Sequence, residues 1–365
     1  MRLGVEAALV RGELVRGDVE VDGGTVVDVG IAGGPRGRIA VPGFVDLQVN
    51  GFGGVDFLAA STGDYRRAGE ALLQTGVTAY QPTFITAAES TIVEALGALP
   101  EYGAPRILGA HLEGPFLSPD RLGTHPQSHR RDPDLDLLER LLEPGGVTEM
   151  TVAPELPGAG AVIRRLLELG VVVSAGHTNA TAEEAHQAFD LGISTTTHLF
   201  NAMRPFRSRD PGIIGAALTR REVFVQIIVD GHHLSDETVR LVWAAAGGRT
   251  ALVTDATAGA PNGGGTYQLG DVEIEIANGA PPTREDGVLA GTVLTMIEAV
   301  RNVHALGIPF EDAVGAATTV PARILGRTDV GVLEPGSPAD VVVLDDRLEI
   351  VDVLCAGGDR VVARD

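Results

Sequence analysis

A glutamate in His111-Leu-Glu113-Gly-Pro-Phe, a histidine in Ala175-Gly-His177-Thr and another in Thr197-His198-Leu-Phe-Asn201-Ala-Met203 each stand where an apolar, strand-like run ends. Ala251-Leu-Val-Thr-Asp255-Ala places an aspartate in the same way. One carboxylate and two imidazoles form a ligand set suited to Zn²⁺, with Fe²⁺ or Co²⁺ also compatible. A divalent ion with an open position lowers the pKa of its water to about 7. A free carboxylate beside it can take a proton and return it to a leaving amine. Glu113, His177, His198 and Asp255 could therefore carry out metal-assisted hydrolysis. A single histidine at a strand end is more often just hydrogen-bonded, and a single aspartate before Ala-Thr-Ala-Gly more often caps a turn. The recurrence at four strand ends is what points to a site.

Two further clusters lie nearby in sequence. Asp230-Gly-His232-His233 follows the run 224–229. Adjacent residues at a strand end point opposite ways, so one of the two histidines is expected to face the site. Arg204, Arg207 and Arg209 follow the Asn201-Ala-Met loop. In a chain of net charge −21, arginines clustered beside such a site point to phosphate recognition.

The elements that must position these residues alternate. Strand-like runs at 41–49, 78–81, 106–111, 171–175, 194–198, 223–229 and 250–254 are separated by helical stretches, among them 64–76, 161–170 and 181–191. This rhythm predicts a parallel β/α fold. In a parallel barrel, strand-end side chains converge on one mouth. Residues 1–40 and 331–365 instead read as short strands with tight turns, and together they predict one small β-sandwich flanking a barrel domain over 41–330. The glycine-rich stretch 258–287 reads as a flexible loop and hairpin rather than a phosphate cradle, because no Lys-Ser/Thr follows its glycines.

The bulk composition excludes several classes. The chain has 365 residues, enough for a barrel and a small partner domain, and it is 44% apolar. The acidic balance argues against nucleic-acid or anionic-membrane partners. Cys355 is the single cysteine, so neither an intrachain disulfide nor a cysteine-based metal site can form, and it reads as a small buried residue near a sheet. There is no lysine, so a Schiff base, a P-loop lysine and a carboxylated lysine bridging two metals are all ruled out. No run is long and apolar enough to predict a membrane span, and the expected location is the cytoplasm.

These residues resemble the amidohydrolase superfamily and, within it, the N-acetylglucosamine-6-phosphate deacetylase family. The likeness runs through Pro42-Gly-Phe-Val-Asp-Leu-Gln-Val-Asn-Gly51, His111-Leu-Glu-Gly-Pro-Phe-Leu117, Gly123-Thr-His125 and Ala175-Gly-His-Thr178. It continues through Thr197-His-Leu-Phe-Asn-Ala-Met203, Arg209-Asp-Pro-Gly212, Asp230-Gly-His-His233, Thr254-Asp-Ala256 and Leu289-Ala-Gly-Thr292. The segment 331–344 is similar to the tail of many amidohydrolases. The resemblance implies an α/β fold: an eight-stranded TIM-type β/α barrel with a small β-sandwich built from both chain termini. It implies that Glu113, His177 and His198 hold the metal, that Asp255 is the catalytic acid/base and that His233 stabilises the oxyanion. Thr124, His125, Asn201, Ala202, Val288, Leu289 and Ala290 would line the sugar-phosphate site. Arg209 would reach the phosphate from the neighbouring subunit of a homodimer. Many amidohydrolases hold a second metal with a His-x-His pair where this chain has Gln48-Val-Asn50. One divalent ion per chain is therefore expected. The function implied is removal of the acetyl group from a phosphorylated N-acetyl amino sugar. The alternatives are an amidohydrolase acting on N-acyl amino acids or cyclic amides, and a catalytically silent scaffold of the same fold.

Overall fold

The computed structural model describes residues 1–355 apart from Pro35 and Asn278, together with the strand Val361–Val362. Eight parallel strands form the centre: β1 (Phe44–Val49), β2 (Val77–Ile85), β3 (Ala110–Glu113), β4 (Val147–Val152), β5 (Val172–Ala175), β6 (Thr195–Thr196), β7 (Phe224–Ile227) and β8 (Thr250–Leu252). Each pairs in parallel with the next around the ring. The ring closes where Asp255 N–H donates to Gln48 O at 2.9 Å and Asn50 N–H to Ala256 O at 2.8 Å. Helices follow the strands, and several start on side-chain caps. Ser61 with Asp64, Thr181 with Glu184 and Thr295 with Glu298 form capping boxes.

Alternation along the strands sorts side chains between two environments. Val45, Leu47 and Val49 of β1 join the apolar core, as do Met150 and Val152 of β4. Their polar neighbours bond to one another inside the ring. Gln226 donates to Glu149 at 2.8 Å, His111 Nε2 lies 2.7 Å from the Thr151 hydroxyl, and Thr197 bonds both Thr151 and Ser174 at 2.6 Å. The barrel centre is thus a hydrogen-bonded polar layer wrapped by an apolar one, which satisfies groups that would be costly to bury alone.

Two sequence expectations need correction. The run 41–49 is not one strand. Arg38–Pro42 belongs to the small sheet and β1 to the barrel, with the break at Gly43. A Cβ there would lie 2.1 Å from the Thr78 hydroxyl oxygen, so the chain can cross between the two layers only at a glycine. No strand-like run is expected between 111 and 171, yet that interval holds β4, a strand of the barrel.

The terminal segments build a six-stranded sheet ordered Glu13–Arg16, Ala7–Val10, Arg38–Pro42, Val341–Asp345, Ile350–Leu354, Val361–Val362, with the pair Asp18–Asp22 and Thr25–Ile31 beside it. Val5, Ala8, Val19, Val26, Val341 and Val343 form their shared apolar core. Cys355 is buried at the edge of this sheet, its thiol pushed up to about 12 by desolvation.

Candidate active site

The chain leaves β3 at Glu113, β5 just before His177, β6 just before His198 and β8 shortly before Asp255, and all four side chains meet at one mouth of the barrel. Glu113 Oε1 lies 3.0 Å from His177 Nε2 and 2.9 Å from His198 Nε2, and the two imidazole nitrogens are 3.1 Å apart. Three donor atoms about 3 Å apart match the edges of a coordination shell with bonds near 2.0–2.1 Å. The tautomer also fits. His177 Nδ1–H donates to the Arg121 carbonyl at 2.9 Å, which leaves a lone pair on Nε2. Burial alone would raise the Glu113 carboxyl, but bonding to His125, His177 and His198 holds it well below the usual carboxylate range. Desolvation lowers His177 to about 4. An anionic carboxylate and a neutral imidazole are the states a metal requires, and Glu113 and His177 fit it. Burial would lower His198, but the bond and charge of Glu113 raise it, and a bound ion would displace that proton.

His125 is a neighbour of this set. Its ligand atom and those of Glu113 and His177 all lie within 4.8 Å of one another. The Thr86 backbone N–H donates to His125 Nδ1 at 3.2 Å, so the neutral ring carries its proton on Nε2, which lies 3.6 Å from Glu113 Oε2. That geometry turns the His125 N–H toward the outer oxygen of Glu113.

The backbone is strained where these groups sit. Non-glycine residues with positive φ include His177 (47°), His198 (30°), Phe200 (81°), Ala202 (48°) and Asp255 (51°), with only Arg11 and Leu348 elsewhere among the described residues. Such residues persist where the surrounding structure overdetermines them, and they gather at functional sites. At Asp255 the support comes from the next layer. Thr292 N–H donates to Asp255 O at 2.9 Å, and a Cβ on Gly291 (φ +69°) would lie 2.6 Å from that same oxygen. Asp255 is raised to about 6 by burial and by the charge of Glu113, with His198, His233 and Asn50 pulling the other way.

His233 and His232 separate as expected. His233 lines the same cavity as Glu113, His177 and His198, while His232 faces a neighbouring groove. His233 Nδ1 lies 2.7 Å from Asp230 Oδ2. Burial would raise Asp230, but the bonds from His233 and His232 bring it down to about 2. The carboxylate thus fixes the ring and directs Nε2 away from itself.

The cavity holds about 250 Å³. Thr124, His125, Asn201, Ala202, Val288 and Leu289 line it together with Asn50, Leu269 and Gly291. Ala290 is fully buried behind it, its N–H donating to Pro282 O. Leu269, from the hairpin Gly265–Leu269 and Val272–Ile276, was not anticipated as a wall residue, and its sequence context gives no signal for it. No arginine is among the lining residues. Arg204 is engaged by Asp210, its Nε 2.9 Å from both carboxylate oxygens, while Arg207 and Arg209 are exposed.

Residues 39–360 match the amidohydrolase family. N-acetylglucosamine-6-phosphate deacetylase of Bos taurus is 36% identical over 368 residues, covering 93% of this chain and 90% of that protein. The crystal structure of N-acetyl-D-glucosamine-6-phosphate deacetylase from Mycobacterium smegmatis superposes with a TM-score of 0.93 at 35% identity, covering 99% of this chain and 100% of that one. An aspartate-to-alanine mutant of the same enzyme, in complex with N-acetyl-D-glucosamine-6-phosphate, superposes with a TM-score of 0.92 at 35% identity, with 98% of each chain covered. The chain therefore belongs to the amidohydrolase family, in the branch of the N-acetylglucosamine-6-phosphate deacetylases.

Proposed function

We propose that this protein hydrolyses the amide of N-acetylglucosamine 6-phosphate, releasing acetate and glucosamine 6-phosphate. The observation that carries this reading is the convergence of Glu113, His177 and His198 on one point, with Asp255 and His233 lining the same cavity. One divalent ion held by Glu113, His177 and His198, most simply zinc, supplies Lewis acidity toward the amide oxygen and toward a water when it is bound.

The remaining chemistry falls to the chain. Asp255 takes the proton of the attacking water as its oxygen bonds to the carbonyl carbon. His233, whose Nδ1–H is held by the Asp230 carboxylate, donates from Nε2 only as an imidazolium, and in that form it offers an N–H to the developing oxyanion. Asp255 then gives the proton to the nitrogen as the C–N bond breaks, so acetate and a free amine leave and the carboxylate is regenerated. The buried Thr124 hydroxyl has no hydrogen-bond partner among the described residues, and Thr124 lines the cavity. Asn201 and the backbone of Ala202, Val288 and Leu289 shape the sugar pocket, with Ala290 fixing the last segment from behind.

A phosphate arriving in this cavity finds no arginine among the described residues that line it. Arg209, exposed on its loop, is free to supply one to a second copy. We therefore assign the active form as a homodimer in which Arg209 crosses the interface. A dianionic sugar phosphate is a substrate retained inside cells, which supports a cytoplasmic location.

The test is acetate release by the zinc-loaded protein. N-acetylglucosamine 6-phosphate should turn over, with unphosphorylated N-acetylglucosamine at least about 10-fold poorer in kcat/KM. Turnover of N-acyl amino acids or cyclic amides in its place would move the protein to another branch. No turnover of any amide would leave a silent scaffold.

A further inference from the structure

Strand β1 and the turn after it send Asp46, Gln48 and Asn50 to one face, toward the end of β8. Both amides meet one atom there. Asp255 Oδ1 accepts from Asn50 Nδ2 at 2.7 Å and from Gln48 Nε2 at 3.1 Å. Gln48 Nε2 also lies 3.3 Å from Glu113 Oε1, so a single amide spans the base and a metal ligand. Asp255 Oδ2 receives no hydrogen bond from the described residues, and Asp255 lines the cavity. One step below, Asp46 secures the frame. Its Oδ2 accepts the Thr254 hydroxyl at 2.6 Å, and its Oδ1 accepts the N–H groups of Thr254 and Gln48 at 3.2 and 3.3 Å.

We propose that Gln48 and Asn50 are positioning residues that pin Asp255 through Oδ1 and leave Oδ2 as its proton-transferring oxygen. This rests on the reading of Asp255 as acid/base. An amide suits the task because its N–H donors neither titrate nor carry charge. Misplacement of a reacting group is costly in rate, so two fixed donors on one carboxylate oxygen matter. Asn50 touches Asp255 and none of the proposed metal ligands, so its effect can be separated from metal binding.

The experiment uses zinc-loaded protein and N-acetylglucosamine 6-phosphate, with N50A, N50D, D255N and the double variant N50A/D255N, and measures zinc content alongside kinetics. N50A should lower kcat about 10- to 100-fold, the range for losing one hydrogen bond to a charged group, with KM and zinc content near wild type. N50D, matched in size but lacking the donor, should lose at least as much. N50A/D255N should be no slower than D255N alone, since Asn50 acts through Asp255. A double variant slower by the product of the two single effects would overturn the proposal. So would loss of bound zinc from N50A and N50D together. D255N at a near wild-type rate would remove the acid/base reading itself, a distinct failure visible without any change at Asn50.

Discussion

Two glutamates one strand apart, Glu113 on β3 and Glu149 on β4, are both buried inside the same ring, yet their chemistry is opposite. Glu113 stands at the mouth among three imidazoles and is held ionised. Glu149 stands in the interior layer, opposite His111 across the β3–β4 ladder, with the neutral Gln226 amide at 2.8 Å. Desolvation raises its carboxyl to about 8, and the charge of Glu113 adds to the rise. Burial alone therefore does not make a carboxylate a ligand. The partners decide, and among the described residues the cluster able to share a cation, Glu113, His125 and His177, lies at the mouth. The interior polar layer builds the frame, and the mouth presents the groups proposed to do the chemistry.

Replacing the mouth carboxylate should give the largest effect. Glu113→Gln keeps the shape and removes the charge, so zinc affinity should fall by at least about 100-fold, the upper range for disturbing groups that merely support a metal ligand. Turnover should fall with it, as read by metal analysis and acetate release. An E113Q variant that kept its zinc would erase the distinction between the two glutamates.

Arg209→Ala should cost about 10–100-fold in kcat/KM on the phosphorylated sugar and little on the unphosphorylated one. Mixing R209A with a metal-site variant should restore part of the activity through mixed dimers. Equal losses on both sugars would make Arg209 a support for the fold.

The smallest effect belongs to the interior. Glu149 holds its proton to a higher pH folded than unfolded, so its contribution to stability falls as pH rises from the ordinary carboxylate range to about 8. Glu149→Gln mimics the protonated form. Its melting temperature should match wild type near pH 5 and exceed it by a few degrees near pH 8, with turnover within about two-fold. A variant less stable at both pH values would show that Glu149 is ionised in the fold.

The sequence revealed the mouth better than the frame. Glu113, His177, His198 and Asp255 were legible because each interrupts an apolar run at its end, where a charged residue is conspicuous. β4 escaped for the converse reason. Val147-Thr-Glu-Met-Thr-Val152 carries Glu149 at its centre and looks like a surface segment, because the amide that satisfies it lies 77 residues away. Gln48 and Asn50 stood out in sequence only as replacements for metal ligands. Their convergence on Asp255, more than 200 residues along the chain, emerges only when β1 closes against β8. The exposed position of Arg209 on its loop likewise depends on how that loop leaves the barrel.

The central claim, a single ion at Glu113, His177 and His198 driving amide hydrolysis, is tested most directly by titrating metal-stripped protein with zinc while following acetate release from N-acetylglucosamine 6-phosphate. Activity should rise from near zero and level off at about one zinc per chain. Full activity without added metal, or a plateau reached only at two per chain, would contradict it.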